Sequence, residues 1–313
     1  MNEPLVSIII PVYNGSNFMR EAIDSALSQT YENLEVIVVN DGSKDDTEEI
    51  ARSYGDRIRY FGKENGGVSS ALNLGIREMR GEYFSWLSHD DMYDKEKIKK
   101  QVELLKRYGD KRTLAYCGTK HIDKNGALLR EAKRNKRLEA EKLCSWEESL
   151  SALIKSGSFS GCALLIPKAA FEEAGGFDEE LRYSQDFLMW VKIFLHRFSL
   201  VYSPEGLVMS RIHGGQLSRT GNDLFHKDCA TIYTTVRDDA IAASGKRYNF
   251  FYLIGKKFAK YNNPEVVKRC IADGKEKKCL SACEILSLKT TNLYGYVRPA
   301  IKKVYYKLFK KVK

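Results

Sequence analysis

Short apolar runs alternate with amphipathic stretches through the first 120 residues, and that alternation predicts strands and helices in turn. Val6 to Val12 (VSIIIPV) is the first run and Leu34 to Val39 (LEVIVV) the second. Arg57 to Phe61, Glu82 to Leu87 and Leu114 to Lys120 read as further strands. Between them the spacing predicts helices through Leu27, from Asp46 to Tyr54, from Val68 to Met79 and from Lys95 to Tyr108. Ser43 is placed to cap the second of these, whose acids fall in the first turn, where the helix dipole favours them. Strands alternating with helices imply an α/β fold with a mostly parallel sheet and helices on both faces. Ligands of such sheets bind beyond the carboxyl ends of the strands. Three polar clusters stand at such ends: Tyr13-Asn14, Asp41-Gly42 and Asp90-Asp91.

From about 130 to 220 the pattern is mixed. Ser160 to Ile166 reads as a strand, and Pro167 opens a short helix that Ala174-Gly175-Gly176 ends. Ser184 to His196 is a helical run; Leu200 to Tyr202 and Leu207 to Ile212 read as two short strands leading to the loop His213-Gly214-Gly215-Gln216. From Asp223 onward the pattern is helical with basic spacers. The organisation expected is a domain over 1–220, with halves 1–125 and 126–220, followed by a helical extension over 221–313.

The 313 residues allow about two domains at roughly 150 residues each. A 43% hydrophobic fraction can fill a core, and six prolines without repeats argue against a disordered chain. Nothing approaches the roughly 18 uninterrupted apolar residues of a spanning helix. The start, Met1-Asn2-Glu3-Pro4-Leu5, lacks the pattern of a signal peptide, so a cytoplasmic protein is expected. Seven cysteines, an odd number without an export signal, read as buried free thiols; Cys279 and Cys283 share a helical spacing but have no further metal-type partners near them in sequence.

Charge changes the picture at one end. The net charge is +10, and seven basic residues with no acid lie between Arg298 and Lys313. Val297, Ile301, Val304, Tyr305, Leu308, Phe309 and Val312 fall at steps of three and four, so 296–313 forms a basic amphipathic helix on paper. Such a helix suits an anionic membrane surface, or it packs on its own protein with its lysines in water. The acid-free face favours the membrane. Nucleic acid attracts the same charge, but the body carries no nucleic-acid module.

Asp90-Asp91 is the sharpest local feature. Adjacent carboxylates after an apolar strand repel each other unless a cation or capping amides compensate. They are either a divalent-metal pair that grips phosphates or a cap for the helix at Lys95. Asp41 can meet the edge of a base or cap a helix; Tyr13 can stack on a base or pack in its loop. Neither a G-x-G-x-x-G nor a P-loop is present, so a nucleotide must be held by other means.

Five blocks in order carry a resemblance: Val6 to Gly15 (VSIIIPVYNG), Val39 to Ser43 (VNDGS), Asn65 to Gly75 (NGGVSSALNLG), Gly81 to Asp91 (GEYFSWLSHDD) and Gly175 to Trp190 (GGFDEELRYSQDFLMW). Together they resemble a family 2 glycosyltransferase of the GT-A fold, over about residues 5–215. The resemblance implies that Pro11, Tyr13, Asp41, Asn65 and Gly67 line the nucleotide. Asp90 would bind ribose or donor sugar, and Asp91 would hold Mn²⁺ or Mg²⁺ on the diphosphate. It also implies that Asp186 is the general base. The usual Glu-Asp pair is Gln185-Asp186 here, and Leu72 stands where many members carry an arginine that reaches the nucleotide. His213 matches a position where some members supply a further metal or diphosphate ligand, and otherwise it is a loop histidine. Gln185 would contact the acceptor, and Gly161 and Trp190 either line the acceptor side or pack in the core.

The activity so implied is a single inverting displacement. A hexosyl or N-acetylhexosaminyl group would pass from a nucleoside diphosphate sugar, UDP-sugar first, to a glycan or lipid-linked hydroxyl in surface polysaccharide synthesis. The protein would be peripheral on the cytosolic face of the membrane. The rival reading is a non-catalytic nucleotide-sugar-binding subunit of a membrane assembly. Oligomeric state is left open.

Overall fold

Apolar residues at every position of β1 (Val6–Val12) but Ser7 place that strand in the middle of a sheet, and all seven are buried. The structure, a computed structural model, describes residues 3–131, 140–157, 159–214, 222–244, 249–261 and 263–293. The chain continues through α1 (Met19–Leu27), β2 (Leu34–Asn40), α2 (Thr47–Arg52), β3 (Arg59–Gly62), α3 (Val68–Glu78), β4 (Tyr83–Trp86), β5 (Met92–Tyr93) and α4 (Lys97–Tyr108). Next come β6 (Thr113–Ile122), β7 (Leu128–Glu131), β8 (Lys142–Cys144), α5 (Trp146–Ser156), β9 (Leu164–Pro167), α6 (Lys168–Ala174), α7 (Gln185–Leu195) and β10 (Ser199–Arg211). Four helices follow: α8 (Asn222–Ala243), α9 (Phe250–Lys260), α10 (Pro264–Glu276) and α11 (282–293).

The sheet runs β3-β2-β1-β4-β9-β6-β10-β5, with β7 beside β6 and β8 beside β10. β3, β2, β1 and β4 are parallel; β9 runs against β4 and β6; β10 is parallel to β6 and β5 opposes it. The α/β, mostly parallel GT-A architecture expected from the sequence is the one present.

Alternation along β1 assigns the helices to faces. Ile8, Ile10 and Val12 join Met19, Ala22 and Ile23 of α1 and Ile98, Val102 and Leu105 of α4 in one buried cluster. Ile9 points the other way, against Gly75 of α3, where an added Cβ would lie 2.5 Å from the Ile9 side chain. On that second face an aromatic series runs from Phe84 and Trp86 of β4 through Phe171 of α6 and Phe177 to Trp190 of α7, with neighbouring ring centroids 4.9–6.1 Å apart. It fixes the start of α7 relative to the end of β4.

The first face also buries a cation. Lys97 is wholly inaccessible; its Nζ donates to Ser85 Oγ (3.0 Å) and Gln101 Oε1 (2.9 Å) and lies 4.0 Å from the Tyr93 ring centroid. Burial lowers its pKa to about 8. An unfolded lysine holds its proton to about 10.4, so between those values the unfolded chain binds more protons and stability rises with pH. Lys97→Met lacks that gain. Its melting temperature relative to the parent is therefore expected to fall between pH 8 and about 10.4, and a flat difference across that window contradicts the account.

Three local readings are corrected. Leu200–Tyr202 and Leu207–Ile212 are not two strands but one, Ser199–Arg211, which pairs with β6 through register shifts at Gly206. Ser203-Pro204-Glu205 separates the two apolar runs, yet the strand bulges through it. Ser160–Ile166 begins as a 3₁₀ turn over Gly161–Ala163, and the strand starts only at Leu164. The cysteines are free, as expected, but Cys144 and Cys279 are only half-buried and Cys283 is exposed.

The chain divides into two compact units, Met1–Leu150 with Ser158–Leu217, and Ser151–Gly157 with Ser218–Lys313. The second is helical. Its core includes Ile232, Tyr233, Phe250, Phe251, Ile254, Phe258 and Val267. Asp273 accepts from Tyr233 Oη (2.6 Å) and from two guanidinium nitrogens of Arg237 (2.9 Å each). No helix among the described residues is long and apolar enough to cross a membrane. The basic segment 296–313 lies outside the described residues.

Candidate functional site

Strand order places β2, β1 and β4 side by side and parallel, so Asn40-Asp41, Val12-Tyr13 and the Ser88–Asp91 turn open on one edge. β1 lies where the order reverses, the position at which open α/β sheets bind ligands. Pro11 helps open that edge. Pairing of β1 with β4 ends at Ile9↔Trp86, and the Ile9 carbonyl accepts from Leu87 N. Pro11, two residues on, faces the same side, where its missing N–H forfeits no ladder bond.

The loop after β1 is locked to the loop after β2. Asn14 takes φ 49°. Its N–H donates to Ser43 Oγ (2.9 Å), and its Oδ1 accepts from Lys44 N (2.9 Å). Gly15 N donates to Thr47 Oγ1 (3.0 Å) and Ser16 N to Asp45 Oδ2 (3.0 Å). Burial disfavours the Asp45 charge, but hydrogen bonds from Thr47 and Ser16 outweigh it and hold the carboxyl at about 2. Tyr13 stands on this rigid base with 47% of its surface exposed, which suits a stacking platform.

Asp41 is 2% exposed, and its carboxylate accepts from Lys63 Nζ (2.8 Å), Gly66 N (2.9 Å) and Gly67 N (2.7 Å). Asn65 Nδ2 donates to the Asp41 carbonyl (3.0 Å). The aspartate thus caps the loop that opens α3, and a base reaching it shares a carboxylate that already accepts three bonds. Gly67 has φ +89°, and an added Cβ would lie 2.7 Å from Arg182 Nη1. Position 72, read as a missing cation, is fully buried in the core. The cations at this end of α3 are Lys63 and Arg182, neither of which the sequence reading singled out.

Asp90 and Asp91 sit in unlike surroundings. Asp91 is 7% exposed; its Oδ1 accepts from Arg211 N (2.9 Å) and its own N–H donates to the Ser88 carbonyl (3.1 Å). Burial, reinforced by the neighbouring Asp90 charge, pushes its carboxyl up to about 7. Asp90 Oδ2 lies 2.9 Å from His213 Nε2, so the structure brings His213 to the pair. Behind them Cys162 Sγ accepts from Ser88 N (3.4 Å), and burial pushes its thiol up. Two adjacent carboxylates, one buried and held against ionisation, with an imidazole beside them, fit a divalent cation chemically. Among the described residues no three side chains of metal-binding type close around one point. The remaining ligands of such a cation would be phosphate oxygens and water.

Asp186 occupies the first turn of α7, half-buried, with Oδ1 accepting from Phe187 N (2.6 Å). The preceding segment crosses α3: Asn73 Nδ2 donates to Phe177 O (2.9 Å) and Glu179 Oε1 (2.8 Å), and Asn73 Oδ1 accepts from Phe177 N (2.8 Å). Gln185 is 7% exposed, and its Oε1 finds no hydrogen-bond partner among the described residues. Trp190 is fully buried, donates from Nε1 to Phe159 O (3.2 Å) and stacks edge-on with Phe177; it is a core residue and offers no face to an acceptor. Gly161 likewise serves packing, since a Cβ there would meet the Trp86 ring at 2.2 Å.

Comparison with known proteins adds a family. The sequence profile described as glycosyl transferase family 2 matches residues 7–174. The chain is 54% identical over 217 residues to a glycosyltransferase of Rickettsia typhi, covering 69% of this chain and 67% of that one. It spans between 36% and 67% of the length of the Rickettsia relatives it matches. It is 32% identical over 196 residues to the chondroitin synthase of Pasteurella multocida, covering 61% of this chain and 19% of that one. Among solved structures, that of S. aureus TarS in complex with UDP-GlcNAc superposes with a TM-score of 0.64 at 17% identity, over 93% of this chain and 89% of that one, a likeness of fold.

Proposed function

The chain belongs to glycosyl transferase family 2, and from that premise we propose that it moves a sugar from a nucleoside diphosphate sugar to a glycan or lipid-linked hydroxyl with inversion. The observation that carries this reading is the edge on which β2, β1 and β4 open together, where the end of β10 meets Asp90 and Asp91. The UDP-GlcNAc complex of the fold neighbour makes a UDP-sugar the first donor to try. The match to a chondroitin synthase favours a glycan acceptor.

In this reading Tyr13 stacks on the base, while Asp41 keeps Asn65 and Gly67 in place beneath the nucleotide. Asp91 would hold Mn²⁺ or Mg²⁺, with Asp90 and His213 beside it and Asp90 turned to the ribose or donor sugar; the ion when bound offsets the charge gathering on the departing diphosphate. Asp186 takes the proton of the acceptor hydroxyl as that oxygen bonds to the anomeric carbon. The bond from that carbon to the diphosphate oxygen breaks on the opposite face, so the configuration inverts. The test is release of nucleoside diphosphate from a panel of nucleotide-sugars, with and without Mn²⁺. Release from one donor that requires the metal supports the proposal; donor binding without release under every acceptor tried points to the binding-subunit reading.

We also propose that 296–313 anchors the protein peripherally on an anionic, cytosolic membrane face, on the strength of its seven unopposed basic residues. A chain lacking 297–313 is expected to leave phosphatidylserine vesicles while keeping its donor affinity. Equal vesicle binding by the shortened chain contradicts the anchor.

A further inference from the structure

Arg211 ends β10, and its side chain is wholly inaccessible. Burying a guanidinium is costly unless its donors are met. Here Nε donates to the Asp90 carbonyl (2.9 Å), Nη1 to the carbonyls of Lys124 (2.9 Å) and Asp123 (3.3 Å), and Nη2 to Glu21 Oε2 (2.7 Å). The plane lies over the Phe18 ring, 4.5 Å from its centroid. The backbone N–H of the same residue donates to Asp91 Oδ1, and His213, two residues on, meets Asp90 Oδ2. One strand end therefore grips both acids, through the main chain of Asp90 and the carboxylate of Asp91.

We infer that Arg211 is the positioning residue that sets how Asp90 and Asp91 present their carboxylates to a metal-bound diphosphate. Its Nε donates to the Asp90 carbonyl, so it acts through the Asp90 peptide. Its fork ties that peptide to α1 through Glu21 and to the turn between β6 and β7, which holds the Asp90-Asp91 turn against both. A lysine keeps the charge but cannot reach this many acceptors in one plane. The inference rests on the donor-site reading above.

The experiment measures UDP affinity by calorimetry across a Mn²⁺ series for the parent, Arg211→Lys and Glu21→Gln, alongside thermal melting and donor turnover. Loss of a residue that orients metal ligands typically costs about 10–100-fold in metal affinity or activity. Arg211→Lys is expected to raise the Mn²⁺ concentration for half-maximal UDP binding at least about tenfold, with a larger fall in kcat than rise in donor KM. Glu21→Gln, which loosens the fork and leaves Arg211 in place, is expected to give a smaller shift in the same direction. A merely structural arginine lowers the melting temperature and the folded fraction while the Mn²⁺ dependence of the folded protein stays at the parent value, and that result overturns the inference. Should Arg211→Lys fail to fold, Glu21→Gln decides on the same readout. A parent that binds no UDP at any Mn²⁺ concentration overturns the donor-site reading itself and this inference with it.

Discussion

Asp186→Asn is expected to lower sugar transfer about a thousandfold, within the range for loss of a general base, while UDP affinity changes less than about threefold. The side chain sits in the first turn of α7, and an amide can still accept the Phe187 N–H at Oδ1. The substitution therefore removes proton uptake with little disturbance of the helix. The cost to folding includes the favourable placement of an acid at a helix start, typically about 0.3–1 kcal/mol. Steady-state transfer and calorimetry on one preparation check both halves. Transfer within a few-fold of the parent would show that another group takes the proton.

The second large effect is at Asp91. Asp91→Asn is expected to abolish the Mn²⁺ enhancement of UDP binding and to lower turnover at least about a hundredfold, as loss of a charged metal ligand should. Stability is expected to move the other way. Burial first, and Asp90 second, raise the Asp91 pKa from 3.8 to about 7. Between those values the folded chain binds more protons than the unfolded one, so metal-free stability falls as pH rises through that window. Above it the carboxylate is ionised at a cost the amide does not carry. At pH 8 in chelator the variant is expected to melt several degrees above the parent, and at pH 4 the gain should vanish. Added Mn²⁺ should raise the parent's melting temperature more at pH 8 than at pH 6, because at the lower pH the ion must displace a proton. A variant that melts lower than the parent at pH 8 contradicts the burial argument.

Much of the first half was legible because its signals are local. β1 and β2 announce themselves as unbroken apolar runs, and α3 begins where Asn65-Gly66-Gly67 permits the turn. Their order also puts the polar ends of β1, β2 and β4 together, which follows from an α/β rhythm before any atom is placed. What sequence could not supply was the far end of the chain meeting the near one. Asp90 and Asp91 are aimed by Arg211, 121 positions from Asp90, and nothing in the string Ser210-Arg211-Ile212-His213 distinguishes that arginine from a surface one. Lys97 was hidden for the same reason: one charge in a helix of many reads as solvated, and only the register of Ser85 beneath it shows otherwise. Trp190, which the sequence leaves between the core and the acceptor side, lies in the core beside Phe177 and Phe159. β10 was divided in two because Ser203-Pro204-Glu205 separates its two apolar runs.

The central claim is that the edge formed by β2, β1 and β4 holds a nucleoside diphosphate through Asp90 and Asp91. Calorimetric titration of UDP into the full chain, once in Mn²⁺ and once in chelator, tests it most directly. The account predicts binding that tightens at least about tenfold with the metal. Equal affinity in both, or no binding in either, would contradict it.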